Sequence, residues 1–434
     1  MAETLRVGIA GLGTVGASVV RLLGDKTDHL SKRSGRDVAV TAVCARDRGR
    51  DRGVSLDGLS WHDDPVALAE SDGIDLFVEL MGGEGDPAAA AVSTALRRGR
   101  PVVTANKALL AARGTELARL AEENGTTIGF EAAVAGGIPI VKTMREAMAG
   151  NRVERVYGIL NGTCNYILTR MEEEGLSFAD CLAEAQRLGY AEADPTFDIE
   201  GHDSAHKLAL LSSLAFGVTT DFDSIHLEGI ASITTEDLKA AAELGYRIKL
   251  LGVARRTDTG IEQRVTPTMM PRNLALANVD GVLNAVAVDG DEVGEITMVG
   301  PGAGGSATAS AVVADIVDIA RGRCLPVFGI PAAELEPYRR ARMRKHAGGY
   351  YIRLSVYDRP GAFAAIAQRM AEEQISLESI VQKEAKGAKG AQSARRVVLI
   401  THDTMEAQIR KALQAIEDDG QIAERPHVIR IEKP

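Results

Sequence analysis

The stretch LRVGIAGLGTVGASVVRLL, residues 5–23, decides the fold of the first part of this chain. An apolar run typical of a short buried strand leads into the turn GLGTVG, residues 11–16, and a helical run follows. A GxGxxG turn between a strand and a helix is typical of a loop that binds a dinucleotide. In such a loop Gly11 permits the tight turn, Gly13 lets the backbone approach a pyrophosphate, and Gly16 lets the helix pack closely on the strand.

The same alternation continues beyond this turn. Further strand-like runs occur at residues 37–45, 74–80, 101–104 and 126–130, with helical runs at 87–97 and 109–124. Strands that alternate with helices predict an α/β fold with a parallel sheet and right-handed crossovers. We therefore expect a Rossmann-type, doubly wound parallel sheet over residues 1–138.

A second domain of a different character is predicted over residues 139–305. Strand-like runs at 248–255, 261–266, 285–288 and 295–299 follow one another without helices between them, which predicts an open mixed or antiparallel sheet in an α+β substrate domain. Because little helix remains to cover this sheet, we expect one face to meet a second copy of the chain, in a homodimer or tetramer. The helical run 306–321 is rich in Ala and Val, and we expect segment 306–335 to complete the first domain.

The C-terminal part carries a third pattern. Residues 336–349 form a basic, polar segment that we interpret as a linker, with Arg339, Arg340, Arg342, Arg344 and Lys345. Residues 350–434 then follow the order βαββαβ, which is typical of a ferredoxin-like domain.

Composition limits the classes of function. The chain has 434 residues, which suits about three domains, and a net charge of −10, which argues against nucleic acid as a partner. The four cysteines form no CxxC pair, so we expect reduced thiols, a cytoplasmic protein and no zinc ribbon. A signal-peptide pattern and an apolar stretch of 18 residues are both absent from the sequence, so we expect no membrane partner.

The segment after the second strand bears on the choice of cofactor. It reads Cys44-Ala45-Arg46-Asp47, with further arginines at positions 48, 50 and 52. An acidic residue at this place binds the ribose hydroxyl of NAD, whereas an arginine accommodates the 2′-phosphate of NADP. Arg46 therefore favours NADP, with NAD possible through Asp47; the arginines could also be ordinary surface residues.

Two lysines are candidates for acid–base chemistry. Lys207 lies in an otherwise apolar helical run, and Asp203 precedes it by one helical turn. Burial lowers the pKa of such a lysine, whereas a neighbouring carboxylate raises it. Lys107 follows the strand that ends at Thr104, at the edge of a parallel sheet where ligands bind. The alternative for Lys207 is a surface lysine whose ammonium reaches water beside Asp203.

Several segments together resemble the homoserine dehydrogenases. They are GLGTVG from Gly11, VTANKALLA from Val103, EAAVAGGIP from Glu131, GILNGTCNYIL from Gly158, GYAEADPTFDIEGHDSAHKLALL from Gly189 and GPGAGGSATASAVVADI from Gly300. Residues 350–432 resemble an ACT domain, a small amino-acid-sensing module.

The resemblance implies an NAD(P)-dependent oxidoreductase. It would interconvert L-homoserine and L-aspartate 4-semialdehyde, in the pathway to threonine, methionine and isoleucine. Lys207 would be the proton donor and acceptor, with Lys107 as the second catalytic lysine. The residues implied on the substrate side are Asn161, Gly162, Glu192, Asp198 and Asp203. On the cofactor side the resemblance implies Lys107, Gly189, Glu192 and Gly302. To these the glycine loop adds Gly11, Gly13, Thr14, Val15 and Gly16, and the ends of the following strands add Arg46 and Thr104. On the residues alone, the carboxylates between Gly189 and Lys207 could equally form a solvated acidic loop.

The resemblance also implies two accessory sites. Glu131, Val134, Gly136 and Ile138 match a site for a monovalent cation such as Na⁺. In the C-terminal domain Asp358, Pro360 and Gly361 stand where the first strand turns into the first helix. A helix N-terminus favours a carboxylate, and the resemblance makes L-threonine the expected feedback effector, although a purely structural ACT-like unit is the alternative.

Two other functions remain open from the sequence. One is another ACT-bearing dehydrogenase, acting on 2-hydroxy acids, although in that class the glycine loop lies in mid-chain and a histidine is the base. The other is a non-catalytic sensor that binds NADP and an amino acid, against which the two lysines argue.

Overall fold

We describe a computed structural model of the chain, in which residues 3–341, 347–383 and 394–432 are described. The elements of the first part are β1 (Leu5–Ala10), α1 (Thr14–Asp25), α2 (Thr27–Ser34), β2 (Val38–Cys44), β3 (Ser60–His62), α3 (Pro65–Glu70), β4 (Leu76–Glu79), α4 (Ala88–Arg97), β5 (Val102–Thr104), α5 (Lys107–Glu123) and β6 (Ile128–Gly129). Those that follow are α6 (Ala132–Ala135), α7 (Ile140–Lys142), β7 (Val153–Ile159), α8 (Gly162–Glu174), α9 (Phe178–Arg187), α10 (Thr196–Ile199), α11 (His202–Phe216), β8 (His226–Leu227), α12 (Thr235–Glu243), β9 (Tyr246–Thr257), β10 (Gly260–Pro271), β11 (Leu283–Gly290), β12 (Gly294–Pro301) and α13 (Gly305–Ala320). The last are β13 (Ala347–Tyr357), α14 (Ala362–Glu372), β14 (Leu377–Lys383), β15 (Ala394–Thr401), β16 (Thr404–Met405), α15 (Glu406–Asp418) and β17 (His427–Ile431).

The chain divides into two compact units. Unit 1 comprises Met1–Ala231, Leu250–Thr266 and Val279–Arg340, and unit 2 comprises Ser232–Lys249, Pro267–Asn278 and Ala341–Pro434. Strands β9 and β10 each contribute residues to both units.

The first sheet of unit 1 confirms the predicted doubly wound fold. Its six strands lie in the order β3–β2–β1–β4–β5–β6, and every pairing between them is parallel. This order reverses beside β1, and in open α/β sheets ligands bind at the carboxyl ends of the strands at such a point. The turn after β1 therefore lies where the sequence predicts a dinucleotide loop.

Helix α13 packs against the first sheet although it is distant in sequence. Val312 and Ile316 belong to the same buried cluster as Val7 and Ile9 of β1. The helix ends at Ala320, and the segment to residue 335 contains only a short 3-10 turn, Ala332–Glu334. The packing occurs because the helix presents a continuous stripe of Ala, Val and Ile to the sheet.

The second sheet of unit 1 is mixed, as predicted. Strands β12, β11, β7 and β9 pair in that order, and the register places Ala287 of β11 between Tyr157 of β7 and Thr297 of β12. Short strand β8 pairs in parallel with β10, so the sheet is not purely antiparallel.

Unit 2 contains the predicted βαββαβ domain. Its strands lie in the order β17–β13–β15–β14, with helices α14 and α15 over a core that includes Ile352, Leu354, Ile366 and Ile409. Residues of α12 and of β10 also belong to this unit, and β10 pairs in parallel with β17 through Thr268 and Met269.

Three local features of the structure differ from expectation. The run 140–149, whose pattern predicts a single helix, forms only the short α7, which continues as the π-helical turn Thr143–Ala147 because the Met148 N–H donates to the carbonyl of Thr143. The predicted linker 336–349 is wrong at both ends. The Glu336 N–H donates to Gly217 O at 3.0 Å, and strand β13 begins at Ala347; residues 342–346 lie outside the described residues. Helix α12 was not predicted.

Candidate active site

Each glycine of the first loop has a different structural role. Gly11 has φ +98°, and a Cβ built there would lie 2.5 Å from the Leu80 carbonyl oxygen. A Cβ at Gly16 would lie 2.0 Å from the Gly11 carbonyl oxygen, so neither position accepts a side chain. By contrast, no atom lies within 4 Å of a Cβ built at Gly13. The open space at Gly13, at the start of α1, fits close approach of a pyrophosphate to the first helical amides, including those of Thr14 and Val15.

Arg46 stands at the predicted place for cofactor selection. It is exposed and follows the carboxyl end of β2. Downstream, Arg50 and Arg52 line a groove together with Gly13 and Thr14. Basic side chains therefore lie beside the first glycine loop, which suits a phosphate group.

A carboxylate joins the two predicted lysines. Asp203 lies in the first turn of α11 and is buried. Its Oδ1 is 2.9 Å from Lys107 Nζ, and its Oδ2 is 2.7 Å from Lys207 Nζ. Lys107 begins α5, whose N-terminus is capped by Asn106 Oδ1 accepting from the Leu109 N–H. The structure thus brings together two lysines that are far apart in sequence.

The surroundings of the two lysines push their pKa values in opposite directions. Burial lowers the pKa of Lys207, and the opposing attraction of Asp203 does not restore it. Burial also acts on Lys107, but the charges of Asp203, Asp198 and Glu192 outweigh it and raise its pKa. Burial alone would raise the pKa of Asp203, but the charges of the two lysines hold that pKa well below its usual range. At neutral pH Asp203 is an anion, and Lys207 is the lysine that loses its proton more readily.

The turn between β7 and α8 completes this cluster. Lys207 Nζ donates to the carbonyl oxygen of Leu160 at 2.6 Å. The Nδ2 of Asn161 donates to Asp198 Oδ1 at 2.8 Å and to Asp203 Oδ2 at 2.9 Å, while its Oδ1 caps α8. A Cβ at Gly162 would lie 2.6 Å from the Val282 carbonyl oxygen, so the turn needs glycine there.

The predicted substrate residues of the acidic loop occupy different environments. Asp198 lies half-buried on α10, and its pKa is raised by burial and by the charge of Asp203. Glu192 is exposed, and its carbonyl oxygen accepts from Gln186 Nε2 at 3.0 Å. Gly189 ends the turn after α9 with φ +76°. Asp198 therefore joins the lysine cluster through the Asn161 amide, whereas Glu192 acts on Lys107 through charge.

Thr104 ends β5 and is buried. Its hydroxyl donates to Glu79 Oε2 at 2.6 Å. Glu79 also accepts the Met81 and Gly82 N–H groups, and the Asn106 N–H donates to Thr104 Oγ1. Sequence reasoning missed Glu79; the signal was a carboxylate at the end of the apolar strand DLFVEL.

The second glycine-rich loop also lies at this site. A Cβ at Gly302 would fall 2.0 Å from Cγ of Asn284, a buried residue that the sequence analysis also missed. Gly305, at the start of α13, lies against α1, because a Cβ there would be 2.7 Å from Ser18 Oγ. The loop 300–305 therefore adjoins the first helix of the dinucleotide loop.

The predicted cation residues form one buried turn. The Glu131 carboxylate accepts the N–H groups of Val141 and Lys142 at 2.8 and 2.9 Å, and burial and the charge of Asp315 raise its pKa to about 7. Val134, Gly136 and Ile138 are buried, and Gly136 lies against the Gly302 carbonyl. A carboxylate is the kind of oxygen ligand that hard cations prefer. In the described ranges, no cluster of three His, Cys, Asp or Glu side chains could hold a metal ion.

In unit 2 the predicted effector residues lie at the start of α14. Gly361 has φ +87° and precedes the first residue of the helix. Asp358, Pro360 and Gly361 are exposed, and Asp358 Oδ2 pairs with an Arg395 guanidinium nitrogen at 2.8 Å. The anion-favouring helix end is therefore open to solvent, although the nearby carboxylate is already paired. None of the described helices is long and apolar enough to cross a membrane.

Comparison with known proteins identifies the family. The profile of the homoserine dehydrogenase catalytic domain matches residues 139–317, that of the homoserine dehydrogenase NAD-binding domain matches residues 11–131, and that of the ACT domain matches residues 350–421. Homoserine dehydrogenase of Neisseria gonorrhoeae is 45% identical over 421 residues, which cover 96% of this chain and 95% of that protein. That of Pseudomonas aeruginosa is 43% identical, with 96% of each chain covered.

Solved structures of homoserine dehydrogenases also resemble this chain. The crystal structure of a homoserine dehydrogenase from Thiobacillus denitrificans has a TM-score of 0.93 at 43% identity, with 99% of both chains covered. A hyperthermophilic archaeal homoserine dehydrogenase in complex with NADPH has a TM-score of 0.61 at 26% identity, with 73% of this chain and 97% of that chain covered. Because relatives at 45% and 43% identity span 96% of this chain, it belongs to the homoserine dehydrogenase family.

Proposed function

We propose that this chain oxidises L-homoserine reversibly to L-aspartate 4-semialdehyde, with NADP preferred over NAD, and that Lys207 is its acid–base residue. The observation that carries the proposal is the Asp203 carboxylate, which holds the ammonium groups of Lys107 and Lys207 within 2.9 Å. Pairs of titratable groups whose surroundings drive their pKa values apart divide the acid and base roles between them. The two lysines are such a pair.

Lys207 moves the proton. Neutral Lys207 Nζ takes the proton of the substrate hydroxyl and becomes an ammonium, which Asp203 and the carbonyl of Leu160 stabilise. In the reverse direction the same ammonium returns the proton to the oxygen of the aldehyde. The nicotinamide, when bound, supplies the acceptor for the hydride that leaves the carbinol carbon.

Lys107 and the acidic residues hold the substrate. Because the pKa of Lys107 is raised, this residue remains a cation and polarises the reacting oxygen. Asp198, Asp203 and Glu192 supply negative charge for the ammonium of an amino-acid substrate. Asn161 and Gly162 form the turn that fixes Asp198 and Asp203 through the Asn161 amide.

The glycine loops and the basic segment after β2 hold the cofactor. Gly11, Gly13, Thr14, Val15 and Gly16 receive the pyrophosphate, and Arg46 receives the 2′-phosphate. The other assigned contacts are Gly302, Thr104, Lys107, and Gly189 and Glu192 of the acidic loop. The open space at Gly13 supports the first of these assignments.

The remaining assignments give a role to each domain and to the predicted cation site. Residues 1–138 with 306–335 bind the nucleotide, 139–305 carry the substrate side, and 350–434 regulate. Glu131, Val134, Gly136 and Ile138 hold a monovalent cation beneath Gly302, which the raised pKa of Glu131 supports because a cation would stabilise that buried anion.

The test is L-homoserine-dependent formation of NADPH, measured by absorbance, in the wild type and in Lys207→Ala. A general acid–base group contributes about 10²- to 10⁴-fold in rate, so kcat should fall by that factor while NADPH binding, measured by fluorescence, is retained. A Lys207→Ala variant with nearly normal kcat would remove this lysine from the mechanism. A wild type that reduces neither NADP nor NAD with L-homoserine would overturn the activity.

A further inference from the structure

The carbonyl oxygen of Leu160 has two donors. Lys207 Nζ donates to it at 2.6 Å from one side, and Nδ2 of Asn284 donates to it at 2.9 Å. A carbonyl oxygen has two lone pairs, so these two hydrogen bonds use its full capacity. The position of the Lys207 ammonium is therefore linked to the side chain of Asn284, through a backbone atom that belongs to neither residue.

The orientation of the Asn284 amide follows from this contact. The reverse orientation would place its oxygen against the Leu160 oxygen, so the nitrogen must face Leu160. The Oδ1 atom then points elsewhere, and it is buried without a hydrogen-bond partner among the described residues. Most buried polar atoms in native proteins are paired. An amide retained at a fully buried position at the expense of stability suggests a role in function.

Asn284 also supports the second glycine-rich loop. A Cβ at Gly302 would lie 2.0 Å from Cγ and 2.1 Å from Nδ2 of Asn284. The amide therefore occupies the space that a side chain at Gly302 would need, and it lies directly under the backbone of that loop. Asn284 thus touches two parts of the site at once, the loop at Gly302 and the carbonyl that accepts from Lys207.

We propose that Asn284 is a positioning residue, whose amide fixes the carbonyl of Leu160 against the loop at Gly302 and so holds the amine of Lys207 in place for proton transfer. This inference rests on the proposed function, because it takes Lys207 as the proton acceptor. Loss of the amide lets the Leu160 carbonyl and the lysine amine move together. A displacement of about 1 Å at a reacting group can lower a rate by about a hundredfold.

Asn284→Leu is the informative variant, because leucine has the same number and branching of side-chain heavy atoms but donates no hydrogen bond. We expect kcat to fall ten- to a hundredfold, the KM for NADP to change less than threefold, and the melting temperature not to fall, because the unpaired oxygen is gone. If the leucine variant does not fold, Asn284→Ala takes its place in the experiment, because alanine introduces no clash.

Ser212→Ala is the matched control. Ser212 lies on α11, the helix that carries Lys207, and its buried hydroxyl donates to Gln263 Oε1 at 3.0 Å. Its removal deletes a buried hydrogen bond from the same helix without touching Leu160. The control should lower the melting temperature and leave kcat within threefold, which is the opposite of the result expected for Asn284→Leu.

A double-mutant cycle tests the route of the effect. In a Lys207→Met background, Asn284→Leu should lower the residual rate by less than threefold, because the group that it positions is absent. An equal loss in both backgrounds would overturn the inference. So would unchanged kcat in Asn284→Leu beside a large loss in Lys207→Met. A Lys207→Met variant with normal kcat would instead defeat the proposed role of the lysine itself.

Discussion

Asp203 determines the difference between the two lysines of the site. It contacts both ammonium groups, yet only Lys207 is buried deeply enough for burial to outweigh the attraction. Asp203 therefore lies between a partly exposed lysine and a buried one. Lys107 remains a cation, whereas Lys207 is readily deprotonated. The neighbouring His206 does not share this role, because burial lowers its pKa to about 4 and leaves it neutral.

Asp203→Asn should move the pH profile toward acid. The carboxylate raises the pKa of Lys207, so its loss lowers that pKa. Oxidation requires neutral Lys207 and rises as pH passes through its pKa, so the rising limb moves to lower pH. The plateau kcat should fall about tenfold or more because Lys107 loses its anchor. The measurement is kcat between about pH 6 and about pH 10. A limb that stays in place or moves to higher pH contradicts the assignment.

Arg46→Ala should weaken the binding of NADP more than the binding of NAD. One charged hydrogen bond contributes about 1.5–3 kcal/mol, so the KM for NADP should rise about ten- to a hundredfold while that for NAD changes little. Arg48→Ala is the matched control, because Arg48 lies in the same segment with its guanidinium over the Trp61 ring at 5.8 Å. Equal losses for both cofactors would make Arg46 an ordinary surface residue.

Some site residues could be predicted from the sequence and others could not. Lys207 stands out as a charge in an apolar helix, and Lys107 follows the end of a strand, so both carry a local signal. Asn284 and Glu79 carry little local signal, because their roles depend on hydrogen-bond partners 124 and 25 residues away in the sequence. A buried amide is recognisable only when the carbonyl beside it is known. Their roles therefore required the tertiary structure.

At the level of elements, Glu79 ties together the ends of β4 and β5 and, through Thr104, the start of α5. Glu79→Ala should destabilise the fold by about 3 kcal/mol or more, because one hydroxyl and two N–H groups lose their common acceptor. Thermal or urea unfolding measures the change. Glu79→Gln retains one acceptor oxygen and should recover part of the loss. Equal stability of the wild type and Glu79→Ala would show that water replaces the carboxylate.

The elements that could be predicted are those with a strong local pattern. The parallel strands β1, β2 and β4 follow from apolar runs between helices, and α11 from its long apolar stretch. Helix α12 has a capping box, in which Thr234 Oγ1 accepts the Asp237 N–H and Asp237 Oδ2 accepts the Thr234 N–H, but Leu238 is the only large apolar side chain among its nine residues. The segment at Glu336 looked like a linker because its charges conceal that its backbone pairs with Gly217 and Thr219.

At the level of the whole molecule, we expect a homodimer or tetramer. Strand β12 ends the order of its sheet, and Val293 and Val299 beside or within it are each 51% exposed. An apolar, unpaired sheet edge favours association with a second copy. Light scattering at micromolar concentration should therefore report at least a dimer. Val299→Lys should shift the equilibrium toward monomer, whereas a monomeric wild type would contradict the expectation.

Unit 2 has a buried ionic cluster that affects how regulation can be tested. Asp237 of α12 accepts from the Tyr351 hydroxyl at 2.9 Å and pairs with Arg353 Nε at 2.8 Å, both on β13. Deleting the chain after Arg344 would remove both partners of Asp237, together with strand β17, which pairs with β10. The residues of unit 2 that remain, including α12, would then lose the packing that orders them. Loss of activity in that truncation would therefore say nothing about an effector.

The last prediction therefore concerns L-threonine and uses a point variant. Gly361 has φ +87° at the start of α14, so Gly361→Val strains the backbone at the helix end that favours a carboxylate. If L-threonine binds there, it should inhibit the wild type with a coupling of about 1–3 kcal/mol, or roughly 5- to 150-fold. The measured quantity is the ratio of activities with and without L-threonine. In Gly361→Val this ratio should approach one, as it should for D-threonine with the wild type. A wild type that does not respond to L-threonine would leave the ACT domain as a structural unit.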